Sequence, residues 1–162
     1  MTPPSLTALL EQLAAAGIEV PPGRVVLDSF GDSAELSREL VGLIRAGRKR
    51  AGTSLLWAYA HEGEALPEVG DVGVVLDHEG APRAVTRVVD VRVVAFDAVD
   101  AAYAALEGEG DGSLAHWRTV HWDVFGRECA RIGRVPTLDM PVVCCAFELV
   151  AVVPDPGVDP AA

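Results

Sequence analysis

RAGRKRAGTSLLW, the stretch from Arg45 to Trp57, concentrates positive charge in a chain whose net charge is −11. Four of its first six residues are basic, two small hydroxyl residues follow, and an apolar run ends in an aromatic residue. Lys49 is the only lysine, since the other twelve basic residues are arginines. A desolvated lysine can lose its proton and act as a base or nucleophile, whereas arginine stays charged. The stretch therefore predicts a functional site at Lys49, with an ordinary solvated charge as the alternative.

The residues before this stretch predict an amphipathic helix that ends in the basic cluster. Asp32, followed three positions later by Glu35, fits a capping box, and Gly47 fits a left-handed C-cap. The apolar positions lie on one stripe, formed by Leu36, Leu40, Leu43 and Ile44. Because a helix dipole favours cations at its C-terminus, residues 45–50 have a second interpretation as helix-capping charges.

The remaining pattern predicts an α+β fold. Valine-rich strands are expected at 72–77, at 83–96 as one long strand or two, and at 140–153, with a shorter one at 25–27. Helices are expected after Ser5, Asp97 and Ser113, while the polar residues 58–69 predict a loop. Tyr103 belongs to the apolar residues of the second of these helices, and Trp117, His121 and Phe125 share one face of the third. On that face His121 is expected to be a hydrogen-bonded core or pocket-rim residue. Mostly antiparallel strands with flanking helices indicate a small curved sheet or β-barrel. We expect an accessory helix and connector at 1–23, the domain at 24–153, and a disordered tail at 154–162.

The composition of the chain argues against several classes of protein. The 162 residues predict one domain, and the absence of a long apolar run or a signal peptide favours a cytoplasmic protein without membrane partners. The negative net charge argues against non-specific coating of nucleic acid but allows a small basic pocket. Three cysteines without a CxxC pair, and four histidines without a metal-binding spacing, predict neither a disulfide framework nor a metal or other cofactor.

The segment EGEGDGS, residues 107–113, is the expected partner of the basic stretch. Alternating glycines allow close backbone approach, and the carboxylates can act as acids or bases. Helix capping by Asp111 or Ser113 explains part of the segment, which leaves Glu107 and Glu109 for chemistry. Tyr59 can stack a base beside the arginines, as can Trp57, for which core packing is the favoured interpretation.

The order of four motifs resembles a known family. FGDS before a helix, AGRKRAGTSLLW, PEVGD opening a strand and EGEGDGSLAHW opening a helix resemble a bacterial ASCH-domain protein over residues 30–150. This resemblance implies a PUA-like fold, a small β-barrel with flanking helices and a cleft associated with RNA or modified nucleosides. Some bacterial members hydrolyse N(4)-acetylcytidine with a lysine, a threonine three residues later and a glutamate before the second helix, whereas others are RNA-binding or ribonuclease-like.

Carried over, the resemblance places the lysine on Lys49, the glutamate on Glu109 and the threonine on Gly52, which has no nucleophile. Thr53 would face away from Gly52 unless the strand has a bulge, and Ser54 lies about 6–7 Å further along. The implied catalytic residues are Lys49, Glu109 and either Thr53 or Ser54. The expected ligand contacts are Arg45, Arg48, Arg50, Trp57, Tyr59 and Glu107.

The resemblance and these residues together imply three possible functions. The first is binding of a nucleoside or RNA ligand with hydrolysis of an N-acylated nucleoside such as N(4)-acetylcytidine. In that mechanism Lys49 accepts a proton from the hydroxyl and Glu109 assists the leaving amine. The alternative is a non-catalytic module for RNA or modified nucleosides, and a ribonuclease is the weakest of the three. The oligomeric state stays open.

Overall fold

The computed structural model describes residues 5–155, which contain five α-helices, a short 3₁₀-helix and five strands. In chain order these are α1 (Leu6–Ala15), β1 (Val25–Ser29), α2 (Ala34–Arg45), β2 (Ala51–Leu55), α3 (Leu56–Glu62), β3 (Val72–Leu76), β4 (Pro82–Ala95), the 3₁₀-helix (Phe96–Ala98), α4 (Ala101–Glu107), α5 (Leu114–Ile132) and β5 (Pro141–Val152). The sheet order is β1-β3-β4-β5-β2. β1 is parallel to β3, whereas the β3–β4 and β2–β5 pairs are antiparallel. The predicted α+β class is confirmed.

The chain divides into two compact units, and β4 and β5 contribute residues to both. The described part of the first unit comprises residues 5–47, 70–88 and 147–155, and the second comprises residues 48–69 and 89–146. The boundaries predicted at 23 and 153 stay a prediction, and residues 156–162 of the expected tail lie outside the described part.

Two apolar clusters form the core of the first unit. Leu9 and Leu13 of α1 are fully buried against a group of valines in β3 and β4. Ile44 of α2 packs with Val75 and Phe147. The helix starts follow from hydroxyl caps, since Ser5 Oγ accepts from Ala8 N and starts α1.

The capping residue predicted for α2 is wrong. Ser33 Oγ, rather than an Asp32 oxygen, accepts a hydrogen bond from Leu36 N at 3.1 Å. Ser33 has the extended backbone of an N-cap, and the helix therefore begins at Ala34. Two neighbouring residues with similar capping propensity made this position ambiguous in the sequence.

The second unit has its own core, built around α4, α5, β2 and β5. Its buried residues include Phe96, Tyr103, Trp117, Phe125 and Cys144. Ser113 caps α5 as expected, because its Oγ accepts from His116 N at 3.1 Å.

Two local predictions for the second unit are wrong. The N-cap of α4 is Asp100, which accepts from Tyr103 N, while Asp97 lies in the preceding 3₁₀-helix. Residues 56–62, largely assigned to a loop, form α3, which ends where Gly63 takes a left-handed conformation. Packing of Trp57 and Ala58 on the core stabilises this helix, which is shorter than the periodic pattern that identifies a helix in a sequence.

The register of β2 determines the sheet face on which Thr53 and Ser54 lie. It pairs with β5 in continuous register from Ala51 opposite Ala146 to Leu55 opposite Val142. Strand alternation therefore places Thr53 on the same face as Ala51 and Leu55, and Ser54 on the face of Gly52. The bulge expected as a condition for using Thr53 is absent from this pairing.

Among the helices of residues 5–155, none is long and apolar enough to cross a membrane.

Candidate functional site

Glu107, the last residue of α4, is the centre of a buried polar cluster in the second unit, with only 2% of its side chain exposed. Its Oε1 accepts a hydrogen bond from Lys49 Nζ at 3.0 Å. Its Oε2 accepts from Thr53 Oγ1 at 2.8 Å and from Trp117 Nε1, and His121 Nε2 lies 3.2 Å away. A carboxylate offers about four lone-pair sites. Glu107 is therefore saturated with donors and held in one orientation.

The electrostatics of Glu107 follow from these contacts. Burial alone would raise its pKa, but the hydrogen bond from His121, the charge of Lys49 and the hydrogen bond from Trp117 lower the pKa to about 2. Glu107 is consequently ionised at neutral pH. A carboxylate with this pKa is a weak base, so we interpret Glu107 as an anchor that positions its donors.

Lys49 is buried, with 3% exposed, although Arg48 and Arg50 on either side are exposed. Its Nζ donates to Ala51 O at 2.8 Å, to Glu107 Oε1 at 3.0 Å and to Glu109 Oε2 at 3.3 Å. The ammonium group is thus shared by two carboxylates.

The backbone around Gly108 brings the two segments of this cluster together. Arg50 N donates to Leu106 O at 2.7 Å. Gly108 has a φ of +64°, and a Cβ added to it would lie 2.3 Å from Arg48 O. Only glycine fits such a close approach in this conformation, which explains why glycine separates Glu107 from Glu109.

Thr53 reaches the cluster from β2. Its hydroxyl donates to Glu107 and lies 3.0 Å from Tyr103 Oη, which is also 2.8 Å from Gly52 O. Burial and the charge of Glu107 raise the pKa of Tyr103, so the phenol stays neutral. Tyr103 holds both the backbone and the hydroxyl of this part of β2.

His121 supports Glu107 from α5. Its ring stacks on Trp117 with centroids 4.2 Å apart and planes 15° apart, and its Nδ1 lies 2.9 Å from Trp117 O. The sequence-based interpretation of His121 as a hydrogen-bonded core or pocket-rim residue agrees with this geometry.

A cavity of about 10 Å³ adjoins the cluster, which is room for about one water molecule. Its lining includes Glu107, Glu109, Ser113, His116 and His121. Ligand atoms of Glu107, Glu109 and His121 lie within 4.8 Å of one another, as in a metal site. Because Lys49 Nζ already bonds both carboxylates, a divalent cation would have to displace a resident ammonium group. These residues therefore fit a metal ion poorly.

Comparison with known families identifies the domain, because the family model of the ASCH domain matches residues 27–151. The chain belongs to the ASCH-domain family. The ASCH domain of Lactobacillus crispatus JV V101 is 32% identical, covers 88% of this chain and 92% of its own, and superposes with a TM-score of 0.78. A protein of Enterococcus faecalis V583, assigned to the DUF984 family, is 29% identical and has a TM-score of 0.77. The match covers 92% of this chain and 91% of the Enterococcus faecalis chain. No curated protein sequence matches the chain. The expected PUA-like fold is thereby confirmed.

Four of the predicted site residues meet in this ASCH domain, namely Lys49, Thr53, Glu107 and Glu109. Ser54 does not join them, since it lines a groove with Tyr59. Trp57 packs partly against the core beneath the Arg134 guanidinium, 4.5 Å from its ring centroid.

The three predicted arginines differ from Lys49 in burial or in the unit to which they belong. Arg48 and Arg50 are exposed, and Arg45 belongs to the first unit of the ASCH domain. There Arg45 Nη2 donates to Val153 O at 2.9 Å, and its Nη1 lies 3.1 Å from Asp155 Oδ1. Its guanidinium group therefore has a structural role in that unit.

Sequence reasoning missed the parts that Tyr103 and Trp117 play in this ASCH domain. Tyr103 was assigned only to an apolar helix face, and Trp117 to the same face as His121. A signal was present, because Trp117 and His121 are four residues apart and both carry polar atoms that need partners when buried.

Proposed function

We propose that this ASCH domain binds a nucleoside or RNA ligand at the cluster of Lys49, Thr53, Glu107 and Glu109, and hydrolyses an N-acylated nucleoside such as N(4)-acetylcytidine. One observation carries the proposal: a buried ammonium group is shared by one saturated carboxylate and one partly exposed carboxylate. The ammonium group can stabilise an oxyanion, and the partly exposed carboxylate can transfer protons. Amide hydrolysis requires both functions.

The available proton acceptors favour water as the nucleophile. Gly52 occupies the position of the family threonine, and the Thr53 hydroxyl is committed to Glu107, whose pKa of about 2 makes it a weak base. Glu109 is one-fifth exposed, and its Oε2 bonds Lys49. It is therefore the carboxylate in the cluster with room to accept a proton from water.

The proposed reaction consumes one water molecule. Glu109 takes a proton from water as the oxygen attacks the acyl carbon, and Lys49 stabilises the oxyanion that forms. When the C–N bond breaks, Glu109 returns the proton to the leaving exocyclic amine. The products are the nucleoside and a carboxylic acid, which releases its own proton to solvent.

A nucleoside requires more space than the cavity of about 10 Å³ provides. Glu109, the partly exposed carboxylate of the cluster, lies on a segment in which Gly108, Gly110 and Gly112 all have positive φ. We propose that this segment moves outward to admit the ligand and returns Glu109 to Lys49 after binding.

The test is to incubate the protein with N(4)-acetylcytidine and to measure cytidine. We expect release by the wild type and its loss in Lys49→Ala and Glu109→Gln, because each removes a reacting group. Arg38→Ala, at an exposed position of α2 in the first unit, is the control and should retain activity. An inactive wild type, or unchanged turnover in Lys49→Ala, would overturn the proposed hydrolysis.

A non-catalytic binding module is the second candidate, and the absence of a hydroxyl at Gly52 favours it. Lys49→Arg separates the two functions. A module that needs only the positive charge should bind cytidine or a short RNA as well with arginine, whereas hydrolysis should be lost because a guanidinium group presents different geometry to Glu109. Binding can be followed by calorimetry alongside the cytidine assay.

A further inference from the structure

A groove of about 380 Å³ lies between α3 and α5 in the second unit, and its volume falls in the range of small-molecule sites. Tyr59 and Phe125 contribute aromatic rings to its lining, and Phe125 is almost fully buried. Ser54, at the end of β2, also lines it, on the strand face opposite the one that carries Thr53. Ser54 thus contributes to the groove, whereas its neighbour Thr53 contributes to the Glu107 cluster.

The polar part of the groove is acidic. Its lining contains Glu62, Glu64 and Glu128 but one basic residue, Arg131. Arg131 Nη2 lies 2.6 Å from Glu62 Oε1 and 2.6 Å from Glu128 Oε1. Glu64 has no ion pair within residues 5–155. The lining thus contains one guanidinium group and three carboxylates, which leaves it with a net charge of −2.

We infer that this groove binds a small organic cation, with a flat or aliphatic body against Tyr59 and Phe125 and an ammonium or guanidinium group near Glu62 and Glu64. Aromatic faces and carboxylates both attract such a group, and the apolar wall buries the body of the ligand. A phosphate-bearing ligand would be repelled by the same carboxylates. The inference is independent of the proposed hydrolysis, because it uses none of the residues of the Glu107 cluster.

The test compares how tightly two probes of nearly equal size bind to the full chain. Phenethylamine carries a ring and an ammonium group, and 2-phenylethanol is its neutral counterpart. We expect phenethylamine to bind at least about tenfold more tightly by ligand-observed NMR, with an affinity that falls as salt is added. Equal affinities, or no binding of phenethylamine at millimolar concentrations, would overturn the inference.

Variants locate the bound probe. Glu64→Gln removes an exposed charge, and we expect it to weaken phenethylamine binding several-fold; Glu62→Gln/Glu64→Gln should weaken it further. Tyr59→Leu keeps an apolar side chain but loses the ring and should also weaken binding. Glu11→Gln/Glu39→Gln is the matched control, since it changes the net charge equally at exposed helix positions of the first unit. If this control loses as much affinity as the groove variant, the attraction comes from the net charge of the chain and the site is wrong.

Discussion

Lys49 Nζ lies 3.0 Å from Glu107 Oε1, and the two side chains expose no more than 3% of their surface. Taking two charges out of water costs free energy, which their attraction and further hydrogen bonds must offset. Here the carboxylate has three further donors and the ammonium group has two further acceptors. The pair is therefore sensitive to the loss of either partner.

We expect Lys49→Met to lower the free energy of unfolding by about 3–5 kcal/mol, because it leaves Glu107 buried without its cation. Combining Lys49→Met with Glu107→Gln should cost less than the sum of the single changes, since the double variant buries no unpaired charge. Urea denaturation measures all three. Arg48→Met is the control and should stay within about 0.5 kcal/mol of the wild type. Additive losses would contradict a direct interaction between the two groups.

The proposed attack by water predicts that Thr53 never carries an acyl group. Thr53→Val removes one donor to Glu107 and should destabilise the fold by about 1–3 kcal/mol. It should reduce cytidine release without abolishing it, and Thr53→Ser should preserve most of the activity. Intact-protein mass spectrometry during turnover should show no acetylated protein. An acetyl adduct that disappears in Thr53→Val would instead make Thr53 the nucleophile.

Gly108 and Gly112 provide a matched pair for testing how the Glu107–Glu109 segment is positioned. Both have positive φ, of +64° and +75°, but only a Cβ at Gly108 meets the backbone at Arg48 O, while a Cβ at Gly112 meets nothing within 4 Å. Alanine should cost about 1–2 kcal/mol at either position for the left-handed conformation. Gly108→Ala should lose more stability than this and at least about tenfold in cytidine release. Equal effects of the two substitutions would show that the close approach is unimportant.

The pKa values of Asp28 in the first unit and Glu107 in the second unit are shifted in opposite directions, so the two groups predict opposite changes of stability with pH. Burial and the neighbouring charge of Asp71 raise its pKa to about 6. The space for its carboxylate exists because Gly73 has no side chain, since a Cβ there would lie 2.4 Å from Asp28 Oδ2. A raised pKa means that the folded state binds the proton more tightly than the unfolded state does, so this stabilisation is present below about pH 4 and is lost as pH rises to 6.

We therefore expect Asp28→Asn to raise the free energy of unfolding by about 1–3 kcal/mol at pH 7 and to have little effect below pH 4. Thermal unfolding at both pH values measures the difference. Glu107 acts in the other direction, because its lowered pKa contributes stability above pH 4.5 that is lost as pH falls towards 2. A stabilisation by Asp28→Asn that is equal at both pH values would show that ionisation of Asp28 is not its cause.

The sequence was sufficient for features that depend on local periodicity, although it identified the N-cap of α5 and not those of α2 and α4. α5 begins after Ser113, and Trp117, His121 and Phe125 are buried at helical spacing as the pattern predicts. The resemblance placed Lys49 and Glu109 together, and their side chains are 3.3 Å apart. These features need little more than helix geometry and the order of motifs.

The rest depends on contacts between distant segments, which periodicity does not encode. Glu107 was expected to contact a ligand, yet its donors come from β2, from α5 and from Lys49, two residues before β2. The burial of Lys49 between two exposed arginines depends on how the chain enters β2. The direction in which the chain enters β2 also decides which residues of the strand face the site. The sequence does not encode this direction, and Thr53, one residue after Gly52, was therefore expected to need a bulge.

The burial of Lys49 gives the native protein a built-in reporter of local opening. Because it is the only lysine in the chain, an amine-reactive reagent can modify a side-chain amine at one position, and only 3% of that side chain is exposed. The rate of acylation at Lys49 then measures how often the segment over it detaches. Mass spectrometry after timed labelling would follow this motion without any added probe.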